Sequence, residues 1–74
     1  MNTRLGKLLK KEFGNNLKYI WIEPDYLEKY LFIVRILIDG EYCEYVISNR
    51  KVSSINGRSC MYYIDKINKV LNEL

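Results

Sequence analysis

Histidine is absent from the 74 residues, cysteine occurs twice, proline once and glycine four times, and each shortage removes a class of function. Without histidine no side chain titrates near neutral pH unperturbed, so general acid and base work would fall to nine carboxylates and the lysines. The carboxylates are scattered. Glu23, Asp25 and Glu28 gather around Pro24, where they read as a solvated acidic loop, and Ser48, Ser53, Ser54 and Ser59 lack a general base to activate them. None of the glycines belongs to a phosphate-cradling loop. The expectation is a protein without catalytic activity and without a cofactor.

Cys43 and Cys60 lack the CxxC spacing of redox and zinc sites, and no histidine can complete a metal set. They are expected to be free thiols packed as small apolar residues rather than a disulfide, and no metal is expected. No apolar run approaches the roughly 18 residues of a membrane-spanning helix. Arg4, Lys7, Lys10 and Lys11 interrupt the N-terminal leucines, so no secretion signal is expected and the location reads as cytoplasmic.

What is present suits one small domain covering residues 1–74, 49% apolar and 28% charged, with a mild net charge of +3. Lys, Ile, Asn and Tyr are plentiful, a bias associated with AT-rich bacterial or phage genomes. Leu5, Leu8, Leu9 and Phe13 form one stripe of a helix begun at Asn2 or Thr3 and stopped by Gly14-Asn15. Gly6 inside that helix costs about 1 kcal/mol relative to Ala, so either the helix is weaker or another backbone approaches closely there. Leu17 to Glu23 reads as a strand, followed by a loop through Pro24 and Asp25. A second strand runs from about Tyr30 to Ile38 and a third from Glu41 to Ser48. The polar stretch NRKVSSINGR then leads into a helix beginning near Ser59 or a few residues earlier. Its stripe is Cys60, Tyr63, Ile64, Ile67, Val70, Leu71 and Leu74. The fold class is therefore α+β, in the order αβββα: a helix, a three-stranded antiparallel meander and a helix, with both helices on one face.

Asp39-Gly40 between two apolar runs predicts a two-residue turn, which pairs Ile38 with Glu41 and places Arg35 opposite Glu44. In that register Phe32, Val34, Ile36, Cys43, Tyr45 and Ile47 share the face that takes the helices. Ile33, Leu37, Tyr42 and Val46 fall on the other face, joined by Tyr19 and Trp21 if Ile20 and Ile22 point to the core. Two helices cannot cover both sides of a sheet. An aromatic and aliphatic cluster of that size marks a protein contact, either with a different protein or in a homodimer.

Nucleic acid is the alternative partner. The order helix, three strands, helix is that of double-stranded RNA-binding domains, and Arg4, Lys7, Lys10, Lys11, Arg50, Lys51 and Arg58 are the bases available to meet phosphate. The stretch LFIVRILIDGEYCEYVIS, Leu31 to Ser48, resembles the central hairpin of a small phage-encoded type II anti-CRISPR that occupies the PAM-binding region of Cas9. An arginine in the incoming strand, the Asp39-Gly40 turn and the returning Glu44-Tyr45-Val46-Ile47-Ser48 carry the likeness. The resemblance implies that Asp39, Gly40 and Glu41 are contact residues imitating DNA phosphates, and that the chain inhibits a bacterial defence nuclease inside the host cell.

Overall fold

The computed structural model describes residues 3–24 and 31–74. Helix α1 spans Thr3–Phe13, and Leu5, Leu9 and Phe13 on its stripe are buried. Gly14 ends it at φ +70°, a left-handed position that glycine takes without steric cost. A single 3₁₀ turn, Gly14–Asn16, then feeds strand β1, Leu17–Pro24. Strands β2 (Leu31–Ile38), β3 (Glu41–Ser48) and β4 (Lys51–Ser54) follow, then the short helix α2 (Arg58–Met61) and helix α3 (Ile64–Glu73). The sheet is an antiparallel meander ordered β1-β2-β3-β4. The loop expected from Pro24 and Asp25 onward, and the Tyr30 start of the second strand, lie outside the described residues beyond Pro24 itself.

Asp39 and Gly40 adopt φ of +50° and +78°, as a two-residue hairpin turn requires. The pairing is as expected from it, Ile38 with Glu41 and Arg35 with Glu44. Val34, Ile36, Ile38, Cys43, Tyr45 and Ile47 consequently point to one side and are buried there. They form one cluster with Leu5, Leu9 and Phe13 of α1 and with Cys60, Ile67, Val70 and Leu71 of α2 and α3. The two long helices also contact each other: Lys69 Nζ lies 2.8 Å from Glu12 Oε1, and the Phe13 and Tyr63 rings meet edge to face.

The structure corrects the sequence reading in three places. The sheet has four strands, because the NRKVSSINGR stretch contains β4, which pairs Val52 with Ile47 and Ser53 with Val46. Its turn is made by Asn49 and Arg50 at φ +52° and +67°, a conformation that the sequence does not mark with glycine. The C-terminal helix is interrupted at Tyr62 and Tyr63. The Cys60 carbonyl, which an unbroken α-helix would offer to residue 64, accepts the Tyr45 hydroxyl and, at 3.4 Å, the Tyr63 amide. Cys43 and Cys60 are not free thiols but a disulfide linking β3 to α2, with Cα atoms 5.6 Å apart. Both sit on core-facing stripes, which brings them together. Of the two readings of Gly6 the weaker helix holds: among the described residues no backbone from another element lies close, and a Cβ there would meet only the Ile22 Cδ1 methyl, at 3.7 Å.

Candidate protein-contact face

On the side of the sheet opposite the core, residues line up in rows across the strands. Tyr19, Leu37 and Tyr42 make one row; Trp21, Arg35 and Glu44 the next; Glu23, Ile33, Val46 and Ser53 a third. Ile22 is buried and Ile20 packs against the core, so the alternation of β1 turns Tyr19 and Trp21 outward. A register shift between Leu17 and Tyr19 allows the β1 aromatics to fall into these rows. Tyr19, Trp21 and Tyr42 remain 49%, 42% and 48% exposed, whereas Ile33, Leu37 and Val46 are half-buried between their neighbours. Six apolar or aromatic residues named from the sequence thus share one surface that no helix among the described residues covers.

Its centre is charged. Arg35 Nη1 donates to Glu23 Oε2 at 2.9 Å, and its Nε lies 3.4 Å from Glu44 Oε2. The hydrogen bond to Glu23, with the attraction of both carboxylates, raises the guanidinium further above its ordinary value. A cation held between two acids keeps the middle of the face neutral or slightly negative. Burial, then the Glu44 charge, pushes the Tyr42 phenol up as well.

Sequence reasoning missed one member. The Ile55 amide donates to the Glu44 carbonyl at 2.9 Å, which continues the β3–β4 register one residue beyond β4. By the same alternation Ile55, 58% exposed, lies on the open side next to Glu44. The Glu44 amide in turn donates to the Asn56 side-chain oxygen. Only recognition of β4 could have placed Ile55 here.

The hairpin tip is arranged differently. Asp39 and Gly40 are exposed, but Asp39 Oδ2 accepts the Tyr63 hydroxyl at 3.0 Å and is tied to the helical side of the molecule. Glu41, paired with Ile38, follows the core-facing alternation, and its Oε2 is buried with no hydrogen-bond partner among the described residues. The tip therefore does not present its two acids together with Glu23 and Glu44 on one surface.

The bases are spread over three elements. Arg4, Lys7, Lys10 and Lys11 are exposed on α1, Arg50 and Lys51 lie at the β3–β4 turn, and Arg58 opens α2. Lys10 also lines, with Lys18 and Tyr19, an open groove of about 580 Å³ between the end of α1 and β1. No family model, curated protein or solved structure matches the chain.

Proposed function

We infer that this chain is a non-catalytic binding module whose open sheet face, together with the Asp39-Gly40 tip, contacts another protein. A small phage or mobile-element inhibitor of a bacterial defence nuclease, acting in the host cytoplasm, is the role that suits it best. The observation that carries the reading is the exposed set Tyr19, Trp21 and Tyr42 around half-buried Ile33, Leu37 and Val46, on the side the helices leave bare. Tyrosine, tryptophan and arginine are the residues enriched in interface cores, and here the arginine charge is already paired within the chain. The resemblance of Leu31 to Ser48 to an anti-CRISPR hairpin supports the choice of partner class. Nucleic acid is less well supported, because two carboxylates flank the one arginine of the face and the remaining bases are divided among separate elements.

The test is capture of partners from a bacterial lysate, with and without nuclease treatment, using the native chain and the double variant Trp21→Ala, Tyr42→Ala. Truncating such an anchor in a desolvated interface costs about 2 kcal/mol or more. The variant should keep its far-UV spectrum and lose a nuclease-resistant protein partner. A catch that vanishes with nuclease, or one the double variant retains, would refute the assignment of this face. Sedimentation of the purified chain separates a homodimer from a heterologous complex.

A further inference from the structure

Glu41 is the one described side chain with a buried oxygen left without a hydrogen bond. A buried carboxylate oxygen is met by a donor, an ordered water or a cation, and the rest of the Glu41 side chain is not buried, so its carboxylate is open to a ligand beside the two cysteines. Glu41 precedes Cys43 by two residues on the core-facing side of β3, and a ligating carboxylate oxygen of Glu41 and the sulfurs of Cys43 and Cys60 all lie within 4.8 Å of one another. Both cysteines are buried, and α2, the four-residue helix carrying Cys60, ends in the exposed Met61 and is followed by the exposed Tyr62.

We propose that the reduced form of the Cys43–Cys60 pair, together with Glu41, is a binding site for a thiophilic divalent cation of the zinc class. The site exists only after reduction. A dithiol reductant transfers two electrons and two protons to the protein disulfide, giving two protein thiols and the reductant's own cyclic disulfide. Binding the cation then releases those two thiol protons, so that two thiolates and one carboxylate face the metal. At ordinary zinc bond lengths, tetrahedral ligands stand about 3.6–3.8 Å apart. The unbonded sulfurs reach that separation by side-chain rotation, and the carboxylate needs to close by roughly 1 Å from the present limit of 4.8 Å. Three protein ligands leave a fourth position for water. The cation would answer the unmatched Glu41 oxygen and would restore the covalent disulfide's tie between β3 and α2 in another form. Oxidation state would thus decide which of two cross-links the chain carries.

Cobalt(II) added to the reduced and the oxidised chain, in chelator-free buffer, tests this directly. The reduced protein should show the thiolate-to-cobalt charge-transfer band and the strong visible bands of tetrahedral geometry; the oxidised protein should show neither. Glu41→Gln, which keeps the shape but not the charge, should weaken cobalt binding by about tenfold or more while leaving the disulfide able to form. Far-UV circular dichroism covers the case in which reduction unfolds the chain: recovery of the native spectrum on adding cobalt supports the site. A reduced chain, folded or not, that gains no bands with cobalt would overturn the proposal. So would equal cobalt affinity in the native chain and Glu41→Gln.

Discussion

Reducing the disulfide in the presence of a chelator should lower stability by an amount fixed mainly by the loop it closes. Cys43 and Cys60 are 17 positions apart, and the loss of chain entropy in the unfolded state for a loop of that size is worth about 3 kcal/mol. In the folded state the two sulfurs must rotate apart to van der Waals distance, but no atoms are removed and no cavity opens. An unfolding entropy of about 2.1 cal/mol/K per residue, over 74 residues, amounts to roughly 0.16 kcal/mol/K. Three kcal/mol then corresponds to a fall in Tm of roughly 20 °C. Thermal melts followed by far-UV circular dichroism, with a phosphine reductant and EDTA against the oxidised protein in EDTA alone, measure it. A fall smaller than about 5 °C would refute the reasoning. It would mean that the unfolded chain already holds β3 near α2, or that the bond strains the folded state as much as it restrains the unfolded one.

Gly6→Ala should stabilise by about 0.5–1 kcal/mol, since the helix gains propensity and the new methyl finds ordinary contact with Ile22; a lower Tm would show crowding. Arg35→Glu and Glu44→Arg should each destabilise, and the double exchange should recover part of the loss in denaturant titrations. Recovery should be incomplete because Glu23 also bonds Arg35, and complete additivity would disprove the cross-strand contact. Burial pushes the Tyr45 phenol up strongly, and burial and then the Asp39 hydrogen bond push up Tyr63. Their neutral forms are favoured by folding, so this stability is fully present below the ordinary phenol value of about 10 and is lost as pH rises above it. Tm measured from about pH 9 to pH 11 should decline, and a flat profile would contradict the burial argument.

The elements that could be read from the sequence are those with long, redundant patterns. The Asp39-Gly40 turn between two apolar-rich runs, with Arg35 falling opposite Glu44, specifies the register and both faces, and the stripe Leu5, Leu9, Phe13 specifies α1. Tyr19 and Trp21 could be assigned outward because smaller aliphatics alternate with them. Strand β4 was not legible because it has four residues, one of them apolar, after a turn built from Asn49 and Arg50 instead of a glycine pair. The break between α2 and α3 was hidden because its cause is tertiary: a buried tyrosine from β3 bonds the Cys60 carbonyl. The disulfide was half visible. Both cysteines could be placed on core-facing stripes, but whether two such stripes meet at bonding distance depends on the path of NRKVSSINGR, which was the segment misread. The same limit applied to Glu41, whose place in the hairpin register was known while its isolation beside the two sulfurs was not.

The meander has a consequence for the order in which the molecule assembles. Strands β2, β3 and β4 are joined by two-residue turns, so their pairing closes short loops at little entropic cost. The contact between α1 and α3 instead joins positions as far apart as Glu12 and Lys69, 57 residues in sequence. Zipping of the hairpins should precede docking of the helices, and side chains in the Asp39-Gly40 turn should therefore control the folding rate. Those between the two helices should control the rate of unfolding. A partner that grips the open sheet would hold the part that forms first, and so would bind the chain before its helical layer had settled.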